Sequence, residues 1–129
     1  MAAIYGIGTD IVRVERIAAS LQRFGDRFAK RILTDSEQIE FACSPQPANF
    51  LARRFAAKEA VAKALGLGIS EGLSFRQIGI GHDDRGKPRL EYTGRAATFC
   101  EEQGISASHI SLSDEQDYAI AYVMLESGQ

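Results

Sequence analysis

The sequence predicts an α+β domain, with helices gathered in the first half of the chain and antiparallel strands in the second. Apolar residues recur at helical spacing from about Val12 to Leu65, whereas later segments alternate apolar and polar residues as strands do. No internal repeat, low-complexity tract or linker divides the 129 residues. We therefore expect a single domain over residues 1–129, long enough to bury roughly two-thirds of its unfolded surface.

The beginning of the chain combines one strand with helical segments. Residues 3–8 form a short apolar run of aromatic and β-branched character, which predicts a first strand that ends before Asp10. Helical spacing begins around Val12 and is interrupted at residues 24–25. The basic segment 26–32 follows the interruption, so we expect either two short helices or one broken helix.

Two further helices are predicted before the middle of the chain. Thr34 and Glu37 stand at the spacing of a capping box, which predicts a helix from there to about Ala42. The longest helix is predicted over 48–65, because this segment is rich in Ala and free of internal Gly and Pro. Gly66 follows it directly and supplies a stop.

The second half has the pattern of strands with one helix between them. Segments 75–81 and 88–92 flank a turn-rich stretch, which predicts a hairpin. A helix is predicted over 93–103, where a glycine follows. Segments 109–113 and 118–125 alternate apolar and polar residues and predict two more strands.

The composition excludes several classes of protein. With 45% hydrophobic and 25% charged residues, the chain is typical of a soluble globular domain and not of a disordered one. No run approaches the roughly 18 apolar residues of a membrane span, and the start lacks the pattern of a signal peptide, so we predict a cytoplasmic protein. Cys43 and Cys100 lie far apart without Cys or His at metal-ligand spacing, which predicts neither a zinc site nor a disulfide framework.

The two ends of the chain carry opposite charge. Residues 13–31 hold six Lys or Arg against two acids, whereas residues 101–129 hold six acids and no Lys or Arg. Such a basic segment attracts an acidic protein, an anionic membrane or nucleic acid, or is a solvated helix face. The net charge of −2 and the absence of Trp argue against nucleic acid.

The longest predicted helix carries Phe55, Glu59 and Lys63 at four-residue steps, so these side chains share one face. The simplest interpretation is an exposed Glu-to-Lys pair, which stabilises a helix by about 0.3–0.5 kcal/mol. A second interpretation includes Asp10, at the end of the first predicted strand. If Asp10 and Glu59 meet, two carboxylates favour a hard cation such as Mg²⁺, which shares its remaining positions with water and phosphate oxygens.

Basic residues of the same helix fit the second interpretation. Lys58 borders the apolar face of the helix, and Arg54, Lys58 and Lys63 would complete a phosphate site beside a cation. Spacing alone leaves both interpretations open. Neither a GxGxxG nor a P-loop motif is present, so a Rossmann or P-loop nucleotide site is not predicted.

Five segments of the chain carry a resemblance to a known family. They are IYGIGTDIVRVERI (4–17), RFAKRILTDSE (27–37), FLARRFAAKEAVAKALGLGI (50–69), GKPRL (86–90) and HISLSDEQDYAIAYVMLE (109–126). Together they span nearly the whole chain and resemble the holo-acyl-carrier-protein synthases, the bacterial phosphopantetheinyl transferases that act on fatty-acid carrier proteins.

The resemblance implies a fold, a reaction and an assembly. The reaction is transfer of the 4′-phosphopantetheine arm from coenzyme A to a serine of apo-acyl carrier protein, which releases adenosine 3′,5′-bisphosphate and supports fatty acid biosynthesis. The implied fold has helices packed on an antiparallel sheet whose strands form the core of a homotrimer, with each active site at a subunit interface. No nucleic acid or membrane partner is implied.

The resemblance also assigns roles to individual residues. Asp10 and Glu59 bind Mg²⁺, and Glu59 and Lys63 are the catalytic residues. Coenzyme A is held by a group of basic residues and glycines: Arg54, Lys58, Lys63, Gly66, Gly68 and His109. Docking of the carrier protein falls to residues of the basic segment: Arg16, Arg23, Arg27, Phe28 and Arg31.

One position departs from the family pattern. Many relatives have a His where this chain has Asp114, so a His-based role at that site is not expected here. Glu59, directly or through a metal-bound water, is then one candidate for the base that takes the serine proton.

Two other classes of function compete with this interpretation. One is a carrier-protein binding module without activity, which would use the Arg-rich segment and keep the long helix only as structure. The other is a Mg²⁺-dependent hydrolase of coenzyme A or another pyrophosphate, in which water replaces serine. Intact Asp10, Glu59 and Lys63 argue against the first, and the basic docking segment, which a hydrolase would not need, argues against the second.

Overall fold

The computed structural model describes residues 2–128 and confirms the α+β class. The elements in chain order are β1 (Ala3–Arg13), α1 (Val14–Phe24), α2 (Asp26–Ile32), α3 (Asp35–Cys43), α4 (Pro47–Leu65), β2 (Ile78–His82), β3 (Pro88–Tyr92), α5 (Gly94–Glu102), β4 (Ile105–Asp114) and β5 (Tyr118–Ser127), with a short 3₁₀ turn at Phe75–Gln77 before β2. None of the helices within 2–128 has the length and hydropathy needed to cross a membrane.

The strands form two antiparallel sheets. The larger has three strands in the order β1-β5-β4, and the smaller is the β2-β3 hairpin. Helix α4 packs across one face of the larger sheet, where Val12, Ala121, Val123 and Leu125 are buried. The main hydrophobic core therefore lies between α4 and the three-stranded sheet.

Two glycines of β1 allow the strand to approach α4 closely. A Cβ atom on Gly6 would lie 2.1 Å from the carbonyl oxygen of Ala64, and one on Gly8 would lie 2.0 Å from that of Ala60. Such distances leave no room for any side chain. Glycine on the strand is thus required for this contact with the backbone of the helix.

Strand β1 is longer than the sequence predicts. It continues past residue 8 to Arg13, with Asp10 paired opposite Ala121, so Asp10 lies within the strand and not behind it. The apolar run ends at residue 8 because one face of the strand turns to the polar side chains of the site, while Val12 stays buried. Alternation places Asp10 on the same face as Gly8 and Val12, which is the face that α4 covers.

The other predicted elements are confirmed with small shifts of their ends. Gly25, with a φ of 64°, separates α1 from α2, and the capping box of Thr34 and Glu37 begins α3. Pro47 occupies the first turn of α4, and Gly66 ends that helix in a left-handed conformation. The segment before β2 is a 3₁₀ turn instead of strand, and both β4 and β5 extend beyond their predicted ends.

The sheet face opposite α4 is apolar and open. Ile7 and Ile11 of β1 lie beside Ile120 and Tyr122 of β5, and all four side chains are exposed. Exposed apolar side chains on adjacent strands form a patch of the kind that marks an interaction surface.

Replacing Gly8 with Ala tests the contact between β1 and α4. Because the new methyl group would overlap the carbonyl oxygen of Ala60, we expect Gly8→Ala to lower the free energy of unfolding by about 3 kcal/mol or more, measured by urea denaturation. Gly79→Ala is the matched control, since a Cβ there makes only ordinary contacts at 3.6 Å. Equal unfolding midpoints for Gly8→Ala and wild type would contradict the packing argument.

Candidate active site

An acid of β1 and a base of α4 meet where the two elements cross. Lys63 Nζ donates to Asp10 Oδ1 over 3.1 Å and to the carbonyl oxygen of Thr9 over 2.8 Å. The Lys63 side chain is half exposed, whereas the Asp10 side chain is 17% exposed. The pair lies at the surface, where a ligand from solvent can reach it.

Glu59 belongs to the same group. Burial raises the pKa of the Glu59 carboxyl, and the negative charge of Asp10 raises that pKa further, while Lys63 and Arg16 act in the opposite direction. Glu59 lies one turn before Lys63 on the same face of α4, and Lys63 contacts Asp10. The structure therefore groups the two acids around the lysine singled out in the sequence.

The donor set of this group fits a hard divalent cation that is only partly held by protein. Within residues 2–128, no group of three or more His, Cys, Asp and Glu side chains could hold a metal ion. Two neighbouring carboxylates suit Mg²⁺, which binds one or two carboxylates and completes its octahedron with water and phosphate oxygens. The residues present thus fit a Mg²⁺ ion shared with a phosphate ligand.

A basic residue and an apolar groove border the carboxylates. The Arg16 guanidinium lies 5.8 Å from the centre of the Phe55 ring, which stacks in turn against Phe75. Beside Glu59 opens a cavity of about 620 Å³, whose lining includes Ile69, Leu73 and Phe75. The site therefore combines a charged centre with an apolar surface along one side.

The expectation that Lys58 holds coenzyme A is wrong in this structure. Lys58 is completely buried, and its Nζ atom donates to Glu37 Oε1 and to the carbonyl oxygen of Ile32, both over 2.6 Å. Burial lowers the pKa of the Lys58 amine, although the Glu37 carboxylate opposes that change. An ammonium group enclosed in this way has no open side for a phosphate, so its role is internal.

Glu37 is the buried charged residue that the sequence interpretation missed. The capping box predicted its contact with Thr34, but not its position as the buried partner of two cations of α4. An acid at this position of a capping box is usually solvated. The signal that could have found it was Lys58 on the apolar face of α4, because a buried cation requires a buried acid.

Arg54 lies at the wall of a second cavity. This cavity measures about 670 Å³. Its basic lining residues are Arg53, Arg54, His82 and Lys87, and its acidic ones are Glu40 and Asp114. Burial lowers the pKa of Arg54, while nearby Glu37 and Glu40 oppose the change. Arg54 thus lines a cavity of mixed charge, and its contact to a phosphate stays a prediction.

His109 stands on another face of the molecule. Its Nε2 atom lies 2.6 Å from Glu126 Oε2, and it lines a third cavity of about 490 Å³ with Lys87 and Arg89. Its neighbour Ile110 is buried towards α4, so His109 points to the opposite side of the sheet. One chain therefore does not bring His109 to Asp10 and Glu59.

The roles of the remaining residues stay predictions, and the structure gives their positions. Gly66 and Gly68 follow α4, three and five residues after Lys63. Asp114, at the end of β4, pairs with Arg53 over 3.1 Å. The predicted docking residues lie on α1 and α2, where the arginines are exposed and Phe28 is half buried: Arg16, Arg23, Arg27, Phe28 and Arg31.

The α+β fold places two acids and a lysine together, near cavities lined in part by basic residues. Such a site suits an enzyme that transfers phosphate-linked groups. The comparison with family models defines this class, because the chain belongs to the 4′-phosphopantetheinyl transferase superfamily over residues 6–123. Within that superfamily it belongs to the family of the holo-[acyl-carrier-protein] synthases. The resemblance stated from the sequence is therefore confirmed.

Relatives and solved structures support the assignment over nearly the full chain. The holo-[acyl-carrier-protein] synthase of Neisseria meningitidis is 53% identical over 123 residues, which cover 95% of this chain and 98% of the relative. A crystal structure from the same species has a TM-score of 0.91 at 53% identity, over 95% of this chain and 98% of its own. The Helicobacter pylori enzyme, solved in complex with coenzyme A, has a TM-score of 0.81 at 33% identity, over 92% and 98% of the two chains.

Proposed function

We propose that this protein transfers the 4′-phosphopantetheine group from coenzyme A to a serine of apo-acyl carrier protein, in the cytoplasm and in support of fatty acid biosynthesis. The observation that carries the proposal is the meeting of Asp10, Glu59 and Lys63 at the crossing of β1 and α4. The serine oxygen forms a bond to the phosphorus that bears pantetheine, the pyrophosphate bond breaks, and adenosine 3′,5′-bisphosphate leaves.

The two acids are the proposed ligands of the metal. Asp10 and Glu59 would hold Mg²⁺, which supplies positive charge to the pyrophosphate of coenzyme A when it is bound. Lys63, whose Nζ atom lies beside Asp10, contacts the phosphate that is attacked and stabilises negative charge as the leaving group departs. Glu59, directly or through a metal-bound water, is one candidate for the base that accepts the serine proton.

Arginines of α1 and α2 form the proposed docking surface for the carrier protein. Carrier proteins of this kind are small and acidic, so an exposed basic surface attracts them. Arg23 and Arg27 are exposed on neighbouring helices, and Arg16 reaches the edge of the site at Phe55. Charges at the rim of an interface chiefly raise the association rate and make it sensitive to salt.

We further propose that three copies of the chain assemble through the open sheet face. The exposed side chains of Ile7, Ile11, Ile120 and Tyr122 would be buried there. His109 points to the open side of the sheet, whereas Glu59 belongs to α4 on the other side, so a neighbouring copy would bring His109 to the coenzyme at another copy's site. This arrangement explains why one chain holds the predicted residues in separate groups.

The proposed reaction has a direct test in intact mass. We expect apo-acyl carrier protein to gain one phosphopantetheine group when incubated with this enzyme, coenzyme A and Mg²⁺, and to gain nothing in EDTA. Asp10→Ala and Glu59→Ala should each lower the rate at least about 100-fold, because each removes a metal ligand. Glu101→Ala, which removes an exposed acid of α5, is the control and should leave the rate unchanged.

Several outcomes would contradict the proposal. Binding of carrier protein without any mass gain would favour the inactive docking module. Release of 4′-phosphopantetheine into solution without modification of the carrier protein would favour the hydrolase. Transfer at the wild-type rate by folded Asp10→Ala or Glu59→Ala would contradict the metal assignment.

Charge reversal tests the docking surface. Arg23→Glu combined with Arg27→Glu should raise KM for the carrier protein about tenfold and leave KM for coenzyme A unchanged, as measured by steady-state kinetics. Arg95→Glu, an exposed reversal on α5, is the matched control. Equal loss towards both substrates would mean that these arginines do not form a docking surface.

A charge on the open sheet face tests the assembly. Sedimentation of the wild type should give three times the 14.1 kDa chain mass, and Ile11→Glu should reduce the particle to a single chain. A mixture of Glu59→Ala and His109→Ala chains, reassembled together, should regain activity that neither has alone. A wild-type protein that sediments as one chain would disprove the arrangement.

A further inference from the structure

Three charged side chains are buried together beneath the second cavity. Glu37, Arg54 and Lys58 are 1%, 3% and 0% exposed, and they are the buried charged residues in the part of the chain that the structure describes. Removing three charges from water costs several kcal/mol for each ion, so their contacts must compensate closely. Glu37 and Lys58 share a short hydrogen bond, whereas the Nε atom of Arg54 has no hydrogen-bond partner.

The carboxylate of Glu37 accepts hydrogen bonds from three other residues. Its Oε1 atom accepts from Lys58 Nζ over 2.6 Å and from the backbone N–H of Thr34 over 2.9 Å. Its Oε2 atom accepts from the backbone N–H of Ile80 over 2.8 Å. Because these contacts come from α3, α4 and β2, the carboxylate is fixed at the junction of three elements.

Arg54 is attracted to this carboxylate without being bound by it. Its Nε atom lies 3.6 Å from Glu37 Oε2 and has no hydrogen-bond partner, and its Nη2 atom lies 3.6 Å from Glu40 Oε1. The guanidinium group lies 4.5 Å from the centre of the Phe50 ring, which limits its movement on one side. The group is thus oriented by charge and stacking while its donors stay free of short bonds.

The guanidinium group lines the cavity between α4, the β2-β3 hairpin and β4, whose lining also includes the basic His82 and Lys87 and the acidic Glu40 and Asp114. A planar group with several free N–H donors is suited to a phosphate, which it binds through two oxygens at once. The half-exposed Glu40, 3.6 Å from Arg54 Nη2, is the second carboxylate of this group, so Arg54 is compensated in part from the surface and not by Glu37 alone.

We infer that Glu37 is a positioning residue for coenzyme A binding, which acts by fixing Arg54 at the wall of this cavity with its donors free for a phosphate group. Lys58 neutralises the carboxylate and keeps it from closing on Arg54. The inference rests on the proposed function, since it takes the ligand to be the phosphate-bearing part of coenzyme A. A purely structural Glu37 would stabilise the chain but would not change how tightly a phosphate binds.

The test uses the full chain with adenosine 3′,5′-bisphosphate as the probe in calorimetric titration. Glu37→Gln alone would leave the buried Lys58 without its carboxylate, so the main variant is Glu37→Gln combined with Lys58→Met. We expect this pair to raise Kd for the probe and KM for coenzyme A about tenfold, with kcat changed less than twofold. Asp35→Asn removes an exposed acid of α3 and is the matched control, with wild-type values expected.

Addition of Arg54→Ala shows whether Glu37 acts through Arg54. The triple variant should bind the probe as weakly as Arg54→Ala alone and no weaker. If Glu37 affects binding only through Arg54, its loss has no further effect once Arg54 is removed. If the paired variant does not fold, Glu37→Asp keeps the charge but withdraws the carboxylate by one methylene. Its Kd should also rise while its melting temperature stays close to that of the wild type.

Three results would overturn the inference. Wild-type Kd in the folded paired variant, or in folded Glu37→Asp, would mean that Glu37 only neutralises Lys58. A triple variant weaker than Arg54→Ala by the full tenfold factor would mean that Glu37 acts independently of Arg54. A wild-type chain that does not bind the probe would overturn the proposed function, and this inference with it.

Discussion

The close contact between β1 and α4 is the constraint on which the rest of the structure depends. Gly6 and Gly8 have no side chains, so the strand can lie against the backbone of the helix at Ala60 and Ala64. Asp10 follows Gly8 by two residues on the same strand face. It lies near α4 because the glycines bring this part of the strand close to the helix. The contact between Asp10 and Lys63, and the metal site proposed there, therefore depend on the close packing of these glycines against α4.

The charged side chains of α4 point in two different directions. Arg54 and Lys58, one turn apart, point towards α3 and the hairpin and are buried there, whereas Glu59 and Lys63 point towards β1 and solvent. One rigid element therefore carries both the carboxylate proposed to bind the metal and the guanidinium proposed to hold a phosphate. The spacing of these two groups is set by helical geometry, which does not depend on loops.

The sequence was sufficient for most of the fold, because the decisive patterns are local. Capping residues, glycine stops and apolar spacing give the order of the elements. Tertiary relations were harder: Asp10 was expected after the strand, because its polarity was taken for the end of a strand instead of a functional position within one. Lys58 was assigned to a ligand, since a cation at the edge of an apolar helix face does not reveal that Glu37, twenty-one residues earlier, will be buried against it.

The capping box of α3 has a consequence for how the molecule acquires its order. Glu37 Oε1 accepts both the backbone N–H of Thr34, which begins the helix, and the ammonium group of Lys58, which belongs to a different helix. A capping box normally needs only its own four residues. Here Glu37 becomes buried only when α4 packs against α3 and Lys58 binds its carboxylate. Local and long-range structure are thereby joined at a single atom, so α3 and α4 should form and melt as one cooperative unit and not as separable helices.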